Sequence, residues 1–381
     1  MPDKDLKETA IYVHIPFCDH KCIYCDFYSI ITSENVVPFL HSLKNEINYF
    51  GKKHSANRII TSIFFGGGTP SLMEPEYLLE IITSLKDNFL FSDSMEITME
   101  TNPGTVDKNK LKNFHDSGIN RISIGVQSFN DDELEFLTRI HNSSTAIETI
   151  RNASEIGFEN ISLDLIFNLP GQTKEKWFHN LKTAIRQPIK HISAYSLILE
   201  RGTILNKLVL DGKVKMQDDD YDADLYETTI DFLLANGFYQ YEVSNFTKPD
   251  FECIHNNSYW HHKDYFGFGT SAHSFVDGKR WWNFSSLRRY ISEIAEKENA
   301  IAGWEKVSSE GLHNEYVMLA LRSSGIKLDE YKEKFGNNWL NKNYSYFQKL
   351  KNENYIEFYG DSIRLTKSGY AVCDEILKNI L

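Results

Sequence analysis

Short apolar runs alternate with amphipathic stretches through the first half of the chain. Ile11–Ile15, Ile60–Phe65, Met95–Glu100, Arg121–Val126, Ile161–Ile166 and His191–Leu197 are rich as a set in Ile, Val and Phe, as strands covered on both faces should be. Between the first two, Phe39, Leu43, Ile47 and Phe50 recur at helical spacing. Tyr77–Phe89, Lys108–Ser117, Ser144–Ile156 and Lys174–Arg186 read as helices in the same way. The alternation predicts an α/β fold with a parallel sheet and right-handed crossovers, a partial (β/α)6 barrel.

Polar residues interrupt this pattern at regular places. Gly66-Gly67-Gly68-Thr69 follows the second strand, Glu100 closes the third and Gln127 follows the fourth. Asp164 lies near the end of the fifth and Ser196 near the end of the sixth. In parallel βα architectures the C-terminal strand ends form the site-bearing face. Packing alone does not account for a polar residue at one strand end after another.

After about Gly237 the periodicity fades. Residues 238–306 form a connecting region, and its stretch 238–284 is dense in Tyr, Trp, Phe, His and Gly. Residues 307–381 read as a small separate domain, with helices around Asn314–Leu321, Leu328–Phe335 and Tyr344–Glu353. A hairpin (Ile356–Tyr359, Ile363–Leu365) and a last helix follow, an order that resembles a winged helix. The barrel would then occupy residues 1–237.

Composition narrows the function classes. No apolar run is long enough to cross a membrane, and the charged start Met1–Glu8 lacks a signal-peptide core. The expectation is a soluble, cytoplasmic protein. The net charge of −12 is spread along the chain and counts against a nucleic-acid partner, including any DNA-binding role for the terminal domain.

Of the five cysteines, three fall within eight residues, in His14-Ile-Pro-Phe-Cys18-Asp-His-Lys-Cys22-Ile-Tyr-Cys25-Asp-Phe27. An odd count in a cytosolic chain argues against a disulfide framework, and Cys253 and Cys373 read as buried structural thiols. Three thiolates at CxxxCxxC spacing can wrap one metal centre. Electron-transfer clusters use four cysteines; a [4Fe-4S] cubane held by Cys18, Cys22 and Cys25 leaves one iron open. That iron can chelate the amino and carboxylate groups of S-adenosylmethionine, whose sulfonium bond an electron from the cluster could cleave. The competing reading is a zinc site with His14 or His20 as fourth ligand, against which stands the usual pairing of two CxxC halves in zinc sites.

CxxxCxYC after a first strand, followed by GGGTP, resembles the radical S-adenosylmethionine superfamily. The His14–Cys18 context is similar to the relatives of oxygen-independent coproporphyrinogen III oxidase, and within these to the HemW-like haem chaperone branch. The resemblance runs from Tyr12 to the C-terminal block. It implies that the glycine loop (Gly67, Gly68, Thr69) meets the methionyl end of S-adenosylmethionine, and that Glu100 and Arg139 serve the same ligand. It likewise places Gln127 and Asp164 near the ribose, and Tyr12 and Tyr24 beside the cluster and adenine. Read without it, Glu100 and Asp164 are equally candidates for helix N-caps, and Arg139 for a surface ion pair.

Two departures separate the chain from the oxidase. The oxidase resemblance calls for a further cysteine where Phe27 stands, and for a covering segment before the cluster strand, which is expected to be missing here because that strand begins at Ile11. Both weigh against coproporphyrinogen dehydrogenase activity. The chaperone branch instead implies an HNxxYW run, present as His255-Asn256-Asn257-Ser258-Tyr259-Trp260. A histidine is a common axial haem ligand, and Tyr259 and Trp260 could pack on the macrocycle. His261 and His262 follow at once and remain alternatives; without the resemblance, His255 reads best as a core histidine. The Gly267-Phe-Gly269-Thr-Ser-Ala272-His273 stretch resembles the family's glycine-rich turn with fewer glycines. The expected function is therefore haem binding and transfer to a client haemoprotein, with a radical enzyme acting on a tetrapyrrole as the alternative. A homodimer, and peripheral membrane contact through the client, are compatible with it.

Overall fold

The computed structural model describes residues 6–32 and 34–381, so the first five residues of the charged start lie outside the described residues. Six strands follow one another in space as they do in sequence: β1 (Lys7–Ile15), β2 (Arg58–Gly67), β3 (Phe91–Thr101), β4 (Arg121–Gln127), β5 (Asn160–Phe167) and β6 (His191–Ser196). Each pairs in parallel with the next, with Tyr12 opposite Phe64 and Gly125 opposite Asp164. The helices between them start where the sequence supplies caps. The side chains of Asp107, Asn142 and Thr173 accept from the amides of Lys110, Thr145 and Lys176, closing donors that a helix start leaves open. Apolar side chains from both faces of the sheet, among them Phe39, Phe65, Phe114 and Trp177, are wholly buried in one continuous core. This is the six-unit partial barrel that the apolar runs predict.

The region of weak periodicity lengthens the same sheet at both edges. β7 (Tyr239–Glu242) and β8 (Asn245–Thr247) join the β6 edge. At the other edge β9 (Asp264–Phe268) runs parallel to β1, followed by β10 (His273–Val276), β11 (Lys279–Asn283) and β12 (Ile301–Lys306). Among the described residues the resulting sheet has twelve strands. Short edge strands carry too few residues to set a clear alternation, which is why the sequence pattern does not declare them.

A buried carboxylate ties this extension to the barrel. Glu46, on the helix Val36–His54, accepts from Gly269 N (2.9 Å), Asn283 Nδ2 (2.6 Å) and Tyr290 Oη (2.7 Å). Burial outweighs these three donors and raises its carboxyl to about 7. A carboxyl raised above its unfolded value binds its proton more tightly when folded. Its contribution to stability is therefore full below about pH 4.5 and lost as pH rises through about 7. Glu46→Ala, which strands three buried donors, is expected to cost about 2–5 kcal/mol in denaturant unfolding. Glu46→Gln should flatten the fall in stability between pH 5 and pH 8, and an unchanged slope would show that the carboxyl does not titrate in this window.

The C-terminal residues build a second core. The helices Ser309–Leu321, Leu328–Phe335 and Asn338–Asn352 pack with an antiparallel sheet of β13 (Ile326–Lys327), β14 (Ile356–Tyr359) and β15 (Ser362–Leu365). Val317, Leu321, Tyr331, Phe347, Ile363 and Ile376 form its centre. This is a winged-helix order, with two short helices after the wing. The unit is docked on the edge strands through Val243 N, which donates to Arg322 O at 2.9 Å.

Candidate functional site

The polar strand ends converge on one cavity of about 640 Å³. Tyr12, Tyr24, Cys25, Gly67, Gly68, Thr69, Glu100, Gln127, Arg139 and Asp164 all line it, as do His255 and Tyr259. The volume suits a nucleotide-sized ligand.

Its upper wall is a pair of stitched loops. Gly68 N donates to Ile15 O at 2.7 Å and Thr69 N to Phe17 O at 2.8 Å, so the glycine loop lies directly against the segment that leads into the cysteines. A Cβ on Gly68 would stand 2.5 Å from Phe17 O, and Gly67 has a φ of 110°, so glycine is required at both places. Thr69 Oγ1 lies 3.3 Å from Cys18 Sγ.

All three cluster cysteines are half-buried on this one loop. Cys25 N donates to Cys22 O, tightening the turn. Arg139 Nη1 approaches Cys22 Sγ at 3.5 Å, and Ile23 N donates to Thr138 Oγ1 at 3.2 Å, anchoring the loop to the segment after β4. Burial, with the neighbouring Cys22 and Cys18 thiolates, raises the Cys25 thiol. Three soft donors on one short loop are the ligand type a cationic metal centre takes, and its charge would offset the burial penalty on Cys25; among the described residues no three His, Cys, Asp or Glu side chains are already drawn together around one metal position. Neither histidine offered as a zinc ligand is free of other bonds. His14 donates from Nε2 to Tyr28 O at 2.9 Å while Nδ1 accepts from Tyr12 Oη, and His20 Nε2 lies 3.3 Å from Thr138 Oγ1.

Glu100 accepts from Gly67 N at 3.2 Å. Burial, with Asp164 nearby, raises it to about 8. Asp164 is also raised, chiefly by burial, although both of its oxygens accept from Ser123 Oγ. Two buried carboxyls side by side are poised to ionise when a cation or a diol enters. Gln127 sits at a β-bulge with a φ of 67°, which turns the strand end over the cavity. Arg139 donates to Gly125 O at 2.8 Å and to Asn102 Oδ1, and leaves Nε buried without a partner. Thr101 Oγ1, on the cavity wall, is likewise unpartnered. Such orphaned groups fit a polar ligand that completes the set. Neither Glu100 nor Asp164 caps a helix; both stand on strands.

The HNxxYW run forms the helix Ile254–Trp260, laid across β1, β2 and β9. It carries His255 and Tyr259 to the cavity floor, whereas Trp260 is half-buried outside the cavity lining. His255 is 1% exposed. Its Nδ1 lies 3.1 Å from Ser62 Oγ and its Nε2 3.0 Å from Tyr259 Oη, and its ring stacks on Phe64. Burial, with Arg121 second, lowers it to about 3. His261 Nε2 lies 3.4 Å from Ser324 Oγ, and His262 Nε2 lies 3.1 Å from Glu315. Sequence reasoning missed Asn102, Arg121, Ser123, Ser193 and Tyr195, which line the same cavity. The signal for Ser123 was strand parity with Gly125, two residues on and before the bulge.

Residues 12–184 match the Radical SAM superfamily. Over 96% of its length the chain is 36% identical to the protein titled "Heme chaperone HemW" of Bacillus subtilis, covering 97% of that protein. The chain belongs to the HemW family of radical SAM proteins. It is also 32% identical to the Lactococcus lactis protein of the same title, over 98% of each chain. The fold is that of coproporphyrinogen III oxidase from Escherichia coli, with a TM-score of 0.84 at 22% identity, covering all of this chain and 91% of that one. Membership brings a [4Fe-4S] cluster and S-adenosylmethionine as the family's cofactors, and the donor set described above suits both. Among the described residues no helix is long and apolar enough to cross a membrane.

Proposed function

We propose that the chain is a haem chaperone, which holds a [4Fe-4S] cluster on Cys18, Cys22 and Cys25, binds S-adenosylmethionine against Gly67, Gly68, Thr69, Glu100, Gln127, Arg139 and Asp164, and passes haem to a client haemoprotein. The observation that carries this reading is the shared cavity. The HNxxYW helix brings an imidazole and a phenol to the floor of the pocket whose walls are the strand-end polar groups.

When bound, the cluster supplies an open iron for the amino and carboxylate groups of S-adenosylmethionine and a source of single electrons. The chain's own groups do the rest. Tyr12 and Tyr24 wall the nucleotide, and the ionising carboxyls of Glu100 and Asp164 accept from its amino and hydroxyl groups. Arg139, a planar fork, faces its carboxylate. His255, held neutral by burial, can ligate haem iron through Nε2 once Tyr259 Oη gives up that nitrogen. With Phe27 where a further cysteine would stand, no extra thiol adjoins the cluster.

Titration with haem is expected to give a Soret band that His255→Ala weakens, while His261→Ala and His262→Ala leave it. A shift lost only in one of the latter two would move the ligand there, and a spectrum unchanged in all three would remove this run as the haem site. Incubation with coproporphyrinogen III under reducing conditions should leave it unconverted; formation of protoporphyrinogen would replace the chaperone reading with an enzymatic one.

A further inference from the structure

Below the strand-end groups, the cavity floor holds a cation whose partners are incomplete. Arg121, the first residue of β4, is 2% exposed and lines the cavity. Its only ionic contact within 4 Å among the described residues is Nε to Glu96 Oε2, at 3.9 Å, beyond hydrogen-bonding reach. Nε has no hydrogen-bond partner. Glu96 is otherwise engaged. It accepts from Ile254 N at 3.2 Å, from His255 N at 3.1 Å and from the Cys253 thiol, capping the HNxxYW helix. Asp164 lies outside ion-pair distance, with both oxygens on Ser123. Burial works against this charge, and Cys253, Glu96, Tyr241 and Asp164 nearby more than offset it, but none of them gives the guanidinium, with its five donors, a fork-to-fork partner. Such a group is satisfied when a planar anion enters, because two parallel N–H···O bonds then form at once.

We propose that Arg121 is the seat of a carboxylate at the cavity floor, and that in the haem-bound protein this is a propionate of the haem, set beside His255. This rests on the haem reading above and deepens it: the floor would hold one edge of the macrocycle by its acid while the imidazole takes the iron. Asn256 and Tyr259 share the floor and can carry the remaining hydrogen bonds to the acid.

The test uses the full chain with its cluster reconstituted anaerobically, and metal-free porphyrins, so that iron ligation plays no part. Binding is read by fluorescence quenching for protoporphyrin IX and for its dimethyl ester. The wild type is expected to prefer the acid about 10- to 100-fold, as a charge-assisted pair should. Arg121→Gln should bind both alike, and Arg121→Lys should fall between. Equal affinity of the wild type for acid and ester overturns the propionate seat, as does a preference that survives in Arg121→Gln with normal iron content and thermal midpoint. If Arg121→Gln does not fold, the wild-type ratio and Arg121→Lys decide alone. Succinate is the free-carboxylate arm. Stabilisation of the wild type but not of the variants by succinate, without acid-over-ester preference, would assign the floor to a small free acid. A wild type that binds neither porphyrin removes the haem reading itself, and the absence of any succinate effect as well would overturn the carboxylate seat.

Discussion

Replacing Cys18, Cys22 or Cys25 singly by serine should abolish the cluster: iron after anaerobic reconstitution is expected to fall from about four per chain to near zero. Each thiol is half-buried and belongs to none of the apolar clusters, one of which anchors the loop through Ile23, so serine should be tolerated without loss of fold. The two other cysteines provide the contrast. Cys253 is wholly buried, and burial pushes its thiol up to about 12, so it stays protonated; its sulfur donates to Glu96 and accepts from Asn256 N. Burial likewise raises Cys373, to about 11, within the C-terminal core. A thiol that does not ionise is not a ligand, so Cys253→Ser and Cys373→Ser should keep their iron. Iron and sulfide assays with the visible absorbance of the cluster decide the matter. Full iron in any one of the three loop variants would exclude that residue, and zinc in place of iron would exclude the cluster.

The same contrast shows what the sequence can and cannot disclose. The three cysteines are legible because their ligand spacing is local. The first six strands are legible because both faces are buried, and Ile11–Ile15 and Arg121–Val126 lie within the observed β1 and β4. Lys7 to Ala10 were not legible as strand, since the register that recruits them belongs to Arg58–Ser62 and, for Thr9 and Ala10, also to Asp264–Tyr265. The helix Asp219–Ala235 begins in a run of acids whose cap, Asp218, hides among them. The strand-end polar residues could be listed from sequence, but their state could not. Glu100 is raised first by its own burial and then by the charge of Asp164, sixty-four residues away. His255 reads from its residues alone as a core histidine, and as a ligand only through the family resemblance. Its partner Ser62 comes from β2 and its stacking ring Phe64 from the same strand, contacts that only the fold supplies. Arg121 looked like the polar start of a strand, and only the cavity shows that its charge points inward.

Gly68→Ala should weaken S-adenosylmethionine about 10- to 100-fold and lower cluster occupancy with it, as expected for overpacking of about 1–3 kcal/mol against a backbone that cannot yield. The reason is the direction of the new methyl group. It would meet Phe17 O at 2.5 Å and Ile15 O at 3.0 Å, the carbonyls that accept from Thr69 N and Gly68 N. No rotamer relieves a clash with main chain, so the glycine loop must lift away from the cluster loop. Cys18 and the methionyl end of the ligand would lose their common support together. Thr69→Val separates this backbone effect from a side-chain one. It removes only the hydroxyl 3.3 Å from Cys18 Sγ and should weaken binding by no more than about tenfold, the value of one hydrogen bond. Calorimetric titration of S-adenosylmethionine into each reconstituted variant, with iron measured on the same sample, gives both readouts. If Gly68→Ala binds like the wild type, the two loops are not coupled through these amides, and the requirement for glycine would rest on Gly67, whose φ of 110° no other residue adopts without strain.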